Sequence, residues 1–490
     1  MAADHRLGFR PVREEVSRTL PIEGEVPEWL SGTLLRNGPG TWSAGRQSLT
    51  HWFDGFAMLR RFRFADGEVA YSNRFLDSEA YAYAREHGEL GYREFATDPP
   101  ARLLGRLRRL RSPEFTDNAC VDVCRVGDRY LAMTESPLVT EIDPDTLETG
   151  RRYRFGGFAD TITVHPHHDP HERELLGYGT RFGGTSDGGY TLYSVPDGTG
   201  DVSILGEVAS DPPGYLHSFV LTPRYVVLTE PPFVPDRLAL LAGSSVIDGY
   251  EWRPERGTRF HIVSRESGEV VSRHRVPPFF TFHHVNAFER EGDGSGGGRA
   301  VVVDLVAYED ASVIDALRLR QLVATKPSLP TGELRRFELP LGSDPDGGEV
   351  EWETIYPGHI ELPMIDYEHR NTREYRYAYG VGNDEHPPQE FQNQLVKVDV
   401  HEREAETWSA EGTYPGEPVF VPTPNEQRAE DDGALLSVVL DASEERSFLL
   451  VLDAATMNER ARAWCPHPIP FGFHGQFYAD GEDRPTRSMA

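Results

Sequence analysis

Four histidines lie in apolar, strand-like surroundings, where a titratable ring must be given a partner. They are His165 in TITVHPHHDP, His217 in GYLHSFVL, His283 in FTFHHVNAF and His474 in FGFHGQF. Taken singly, each reads as a core histidine with a satisfied hydrogen bond. Brought together, four imidazoles would make an all-nitrogen metal site, and because imidazole serves zinc, copper, iron and nickel alike, donor type does not choose the metal. A ligating histidine usually passes its second ring N–H to a carboxylate or carbonyl. Three acids lie in comparable apolar contexts: Glu135 in LAMTESPLV, Glu361 in GHIELPMIDY and Glu417 in YPGEPVFVP. Alone, each reads equally as an exposed strand or turn acid. His87, His369 and His401 lie among charges, whereas His51, His167, His168 and His284 are competitors that spacing does not separate from the four.

Residues so far apart in the chain meet only if its elements converge. Over most of its length the sequence lacks helical periodicity and repeats one pattern, an alternating strand, a polar turn and a returning strand. The pattern begins at Met58, Val139, Tyr190, Phe260, Leu334, Leu395 and Leu449, with Asp, Pro and Gly supplying the turns. Hairpins spaced by roughly 50 to 80 residues suit one four-stranded blade each, so the expected fold is an all-β, seven-bladed β-propeller. Two or three unrelated β-sandwiches would also repeat short strands. No low-complexity boundary divides the chain, and the Gly-rich EGDGSGGG stretch reads as a loose turn, so residues 1–490 are expected to form a single domain. The inner strands of a propeller meet at its axis, which is where four histidines from different blades would converge.

Composition narrows the partners. The formal net charge is −29, from 79 acidic and 50 basic residues, and only Lys326 and Lys397 are lysines. Such a surface repels nucleic acid, and its self-repulsion is tolerable where salt screens it, so a halophilic cytoplasm is expected. Three cysteines build no disulfide framework, and the CxxxC pair Cys120 and Cys124 lacks a second pair to complete a zinc site. The N-terminus has no apolar signal core and no run approaches a membrane span, so a cytoplasmic protein is expected. Two segments stand outside the hairpins. Residues 100–112, PARLLGRLRRLRS, set leucines at helical spacing among arginines and read as a membrane-surface element, with the apolar stretch 231–243 as its partner patch. Ordinary packing of a surface helix on the core is the competing reading.

The chain resembles the carotenoid cleavage oxygenases along essentially its whole length. The motifs that carry the resemblance are LLRNGPG, HWFDGFAML, FTDNACVDV, TESPLVTEIDPDTLETG, VHPHHDP, YLHSFVLTPRYVVLTEPP, FHHVNAFE, YAYGVG, YPGEPVFVP, EDDGALLSVVLD and FGFHGQF. They lean toward the branch of β-carotene central-cleavage dioxygenases and the retinoid isomerohydrolase. The resemblance implies a seven-bladed propeller with a helical and loop cap over an axial Fe(2+), held by His165, His217, His283 and His474 as the catalytic metal ligands. It implies supporting glutamates at Glu135, Glu361 and Glu417, paired with His217, His283 and His474 respectively, and leaves His165 without a carboxylate. His51, His167, His168 and His284 match positions that bind no metal in the family.

The implied reaction adds O2 across one double bond of an apolar polyene, a carotenoid or apocarotenoid, to give two carbonyl products, with β-carotene cleaved to two retinals as the first expectation. Cleavage of an apocarotenoid, or an eccentric cut, needs the same metal and a different tunnel. Stilbene cleavage is disfavoured, because the members that perform it use an active-site lysine, and isomerohydrolysis needs a retinyl ester. The family's membrane-facing elements fall on residues 100–112 and 231–243, which implies peripheral membrane association. Pro100 stands where animal members carry a cysteine, so any such contact rests on the leucines and arginines. A non-catalytic propeller serving as a binding scaffold is the reading from a different class.

Overall fold

The structure is a computed structural model. It describes residues 4–481 apart from 13, 100–115, 155–156, 170–171, 184–187, 198–200, 237–244, 292–298, 343–348, 387, 389 and 426.

The hairpins of the sequence become seven antiparallel sheets, one for each repeat of the pattern. Each arises for a local reason. In the first, Phe56–Ala65 and Glu68–Phe75 run back to back through Asp66-Gly67, and both turn residues have positive φ (51° and 76°), as the tightest hairpin connection requires. Depth in a sheet then follows composition. In the fifth sheet the second strand, Ala300–Ala307, is AVVVDLVA and wholly buried, because its faces pack on both neighbouring blades. The outermost strand of the sixth, Glu404–Trp408, exposes every residue but Trp408. Phe337 of the fifth sheet meets Phe260 of the fourth at a ring-centroid distance of 5.1 Å, an example of the side-by-side packing that joins blades.

Numbered along the chain, blade 1 is built on Phe56–Ala65, blade 2 on Asp122–Val126 to Thr149–Arg154, and blade 3 on Thr161–Ile162 to Ser203–Ala209. Blade 4 runs from Val220–Leu221 to Val270–Val276, blade 5 from His284–Arg290 to Glu351–Tyr356, blade 6 from Ile360–Met364 to Glu404–Trp408, and blade 7 from Thr413–Pro415 to Glu459–Trp464. The ring is closed twice by strands from opposite ends of the chain. Gly475–Ala479 pairs with Gly32–Arg36 in blade 1, and Ile22–Gly24 pairs with Glu459–Trp464 in blade 7.

Helix is a minor addition. The longest described helix, Glu79–His87, is started by Ser78 Oγ, which accepts the Tyr81 N–H, and ended by Gly88 at φ 66°. The expected cap is represented by the short helices Ser312–Ala316 and Leu319–Leu322, inserted between strands of blade 5, with Val313 and Leu317 over the axis. No described helix is long and apolar enough to cross a membrane.

The two segments read as a lipid-facing surface fare differently. Residues 100–112, and 237–243 of the second, lie outside the described residues. Phe233 and Val234, offered by the sequence as part of the exposed apolar patch, are buried. They form the strand Phe233–Pro235 against Tyr250–Trp252, and Phe233 packs on the rings of Tyr250 and Phe280. Hydrophobicity alone does not separate a patch that meets lipid from a strand that meets the core.

Candidate metal centre

His165, His217, His283 and His474 converge on the axis, one nitrogen of each lying within 4.8 Å of those of the other three, and all four are buried. The sequence placed them in strand-like segments, but each lies in the irregular residues just outside a regular ladder. His217 precedes Val220–Leu221, His283 precedes His284–Arg290, His474 precedes Gly475–Ala479, and His165 lies between Thr161–Ile162 and His167–Asp169. Within a ladder, side chains alternate between the two faces and pack against the next blade. A residue just ahead of the ladder is free to aim along the axis.

Each glutamate sits on the histidine expected of it. Glu135 Oε1 lies 2.6 Å from His217 Nδ1, Glu361 Oε2 2.5 Å from His283 Nδ1, and Glu417 Oε1 2.7 Å from His474 Nδ1. An ionised carboxylate only accepts, so these three Nδ1 atoms carry protons and the Nε2 lone pairs face the axis. Glu135 comes from blade 2, Glu361 from blade 6 and Glu417 from blade 7, while the histidines enter blades 1, 3, 4 and 5. Every blade therefore contributes one of the seven residues.

A further layer holds the glutamates, and the sequence reading did not single it out. The Tyr215 hydroxyl donates to both oxygens of Glu135 (3.0 and 2.9 Å), and the Tyr308 hydroxyl donates to Glu361 Oε1 (2.8 Å). Arg36, buried with Glu417, donates to its Oε2 at 2.5 Å and to the Phe473 carbonyl at 2.9 Å. The Leu362 and Gly475 N–H groups complete Glu361 and Glu417. The available signal was a buried-type arginine in LLRNGPG and tyrosines in apolar strands, too common a feature to select.

Electrostatics agree with neutral ligands. Burial drives His474 down to about 4 against the opposing pull of Glu417, and burial likewise lowers His217 against Glu135. Burial alone would raise the Glu361 carboxyl, but the His283 ring beside it and hydrogen bonds from His283, Leu362 and Tyr308 bring it down to about 2. His283 Nε2 is buried and has no hydrogen-bond partner among the described residues, and His165 Nε2 lies 3.0 Å from His217 Nε2. Converging imidazole nitrogens with one left unsatisfied are what a cation would complete, so the residues fit a metal ion.

The competing histidines are wired into the scaffold. His167 donates from Nε2 to the Phe219 carbonyl and accepts the Tyr367 hydroxyl at Nδ1. His284 lies between Ser218 and Thr229; the Ser218 hydroxyl is already spent on the Phe282 carbonyl, so His284 Nδ1 donates and its Nε2 accepts from Thr229. His51 donates to the Ile314 carbonyl and caps Phe53, and His168 meets Asp197.

A cavity enclosing about 650 Å3 of empty space, part of it open to solvent, reaches His217, His283 and His474. Trp52, Phe53, Phe282, Leu329 and Phe473 are among the residues that make its walls apolar, and no lysine is among the lining residues. Lys397 is committed elsewhere, to Asp431 and the Ala455 carbonyl.

Comparison with known proteins gives a consistent picture. The model of the retinal pigment epithelial membrane protein (RPE65) family matches residues 9–479. Carotenoid cleavage dioxygenase 8 homolog B of Oryza sativa subsp. japonica is 36% identical, over 96% of this chain and 84% of its own. The β,β-carotene 15,15′-dioxygenase of Mus musculus is 32% identical, over 94% and 89%. Among solved structures, cobalt-substituted Synechocystis ACO superposes with a TM-score of 0.86 at 27% identity, covering 97% of this chain and 98% of that one.

Proposed function

The chain belongs to the retinal pigment epithelial membrane protein family of carotenoid cleavage oxygenases, and from that premise we propose that it cleaves a carbon–carbon double bond of a carotenoid or apocarotenoid with O2 at Fe(2+), as a carotenoid cleavage dioxygenase. The observation that carries this reading is the set of four buried imidazoles, three held on carboxylates, at the end of an apolar cavity. Ferrous iron bound by His165, His217, His283 and His474 would activate dioxygen for addition to the alkene. The balance closes without a reductant: one double bond and one O2 become two carbonyl groups, the electrons coming from the polyene.

The protein's own residues do the rest. Glu135, Glu361 and Glu417 fix the tautomer and ring plane of three ligands, so that the nitrogens are presented without reorganisation. Trp52, Phe53, Phe282 and Phe473 hold an extended apolar chain against the centre and exclude water. A cavity without lysine gives a stilbene phenol no such partner. Central cleavage of β-carotene to two retinals is the first reaction to test, with support from the kinship to the mouse enzyme of that name. Apocarotenoid cleavage is the second, with support from the likeness to the Synechocystis apocarotenoid oxygenase. Mass spectrometry of products after the iron-loaded protein meets β-carotene and an apocarotenal under 18O2, in high salt and detergent, tests the reading. Label in both carbonyl products is expected, and no oxygen-dependent product from any polyene would overturn it. The Leu- and Arg-rich segment 100–112 is the element we propose to touch lipid in a cytoplasmic, peripherally associated protein, its composition being the support; co-sedimentation with vesicles, lost when its leucines become serines, is the expected result.

A further inference from the structure

Arg60 is buried in blade 1 and stands directly opposite Arg36 in the register that pairs Gly32–Arg36 with Phe56–Ala65. Like charges facing each other across a strand pair repel, and enclosing them away from water raises the cost. Arg36 is compensated, because its Nη1 meets the Glu417 carboxylate. Arg60 is not. Its Nη2 donates to the Pro39 carbonyl at 2.6 Å, its Nε is enclosed without a partner, and no described carboxylate pairs with it. The titratable groups that act on it are Tyr71 and Arg36, and burial keeps the Tyr71 phenol protonated and neutral. Burial pushes the Arg60 guanidinium down to about 10, so it still carries its charge at neutral pH. Two guanidinium groups thus share one carboxylate in the interior, and a buried charge left in excess calls for a counterion.

The remaining nitrogen of Arg60, Nη1, is left to a second cavity. Arg36, Arg60, Gly416 and Gly472 line about 350 Å3 of empty space, part of it open to solvent, where blade 1 meets blade 7. No acid is among the lining residues, and none of them lines the apolar cavity at the metal centre. Glycine keeps the approach to the guanidinium clear, since a Cβ on Gly38 or Gly472 would stand 3.0 or 3.3 Å from Nη1. Leu440 and Ile469 make the opposite walls apolar. One excess charge, few donors and apolar walls suit a weakly hydrated monovalent ion; sulfate or phosphate would bring more charge and more acceptor oxygens than these donors satisfy. We propose that Arg60, with Arg36 adding to the positive potential, binds a small monovalent anion of the size of chloride in this cavity. The anion neutralises the excess charge and ties together the two blades in which the ring is closed. The site stands independently of the oxygenase reading.

The test is urea unfolding of the metal-loaded protein at fixed ionic strength, with chloride exchanged stepwise for isethionate, an organic anion too large for the cavity. Fixed ionic strength holds the screening of surface charge constant, so only a bound ion distinguishes the two salts. Chloride at about 100 times its Kd should lower the unfolding constant about 100-fold, with a hyperbolic dependence on chloride concentration. Arg60→Gln removes the charge and should abolish the response, whereas Arg60→Lys keeps the charge and should retain a weakened one. An intact protein indifferent to the exchange, or Arg60→Gln responding as the intact protein does, would overturn the proposal. Should the variants not fold, crystals of the intact protein grown in bromide decide the matter. An anomalous bromine peak beside Arg60 Nη1 upholds the site, and an ordered water there without anomalous signal overturns it.

Discussion

Glu417 serves two masters at once: one carboxylate oxygen takes His474 and the other takes the buried Arg36. Glu135 is met instead by the neutral hydroxyl of Tyr215. Replacing either acid by glutamine should weaken metal binding by about 10- to 100-fold, since both orient a ligand. Only Glu417→Gln also leaves a buried guanidinium uncompensated, which costs about 3 kcal/mol. We therefore expect comparable metal losses for Glu135→Gln and Glu417→Gln but a clearly larger drop in thermal stability for the second, measured by metal analysis and calorimetry on the same preparations. His283→Ala should remove both metal and activity. Retention of stoichiometric metal in that variant would move the centre elsewhere.

Among the elements, the strand Gly475–Ala479 carries two duties, closing blade 1 and delivering His474 from its leading end. A side chain at Gly475 would collide with the backbone oxygen of Leu35 and the side chain of Arg36. Gly475→Ala should therefore force the closing strand away from Gly32–Arg36, at about 1–3 kcal/mol, and withdraw His474 and Arg36 together. Loss of metal on dialysis, alongside a lower melting temperature, is the expected readout, and unchanged metal retention would mean that the two duties are separable. The seven hairpins were readable because turn residues and alternation are local properties, and each lies in a different blade. The convergence of the four histidines was readable because their apolar setting set them apart from those among charges. What local pattern did not carry was the layer beyond. Arg36 meets Glu417 across 381 positions, and Tyr308, just past a strand of blade 5, meets Glu361 in blade 6, a contact between blades that alternation does not specify. The stretch after Pro231 misled for the opposite reason, since Phe233 and Val234 have the same composition in a core as on a membrane.

At the scale of the whole molecule, two charge balances govern stability. The net charge of −29 is spread over a surface poor in lysine, and raising salt from about 0.1 M to 1 M shortens the screening length from roughly 10 to 3 Å. Melting temperature should rise over that range, and a flat response would mean that local ion pairs already neutralise the repulsion. The second balance is internal. Burial holds His51 and His167 near about 4 and His284 near about 3, below their usual range. Each is neutral in the fold and protonates more readily in the unfolded chain. Their contribution is complete above about 6.5 and is lost as pH falls toward the folded values, at up to about 1.4 kcal/mol per pH unit for each. Unfolding followed by denaturant at pH 7.5, 6, 5 and 4 should show stability declining steeply below 6.5. A profile level down to 4 would show that these rings accept protons without opening the fold.

The double closure of the ring also bears on how the protein is made. Three of the four imidazoles are present once residue 283 has been synthesised, but the fourth, and the partner strand of Gly32–Arg36, arrive only with residues 474–479. A growing chain thus holds an incomplete set of nitrogens until His474 has been made. The complete set exists only once the strand that closes blade 1 has been made, so the ion is offered a geometry rather than a loose polypeptide that could bind it wrongly.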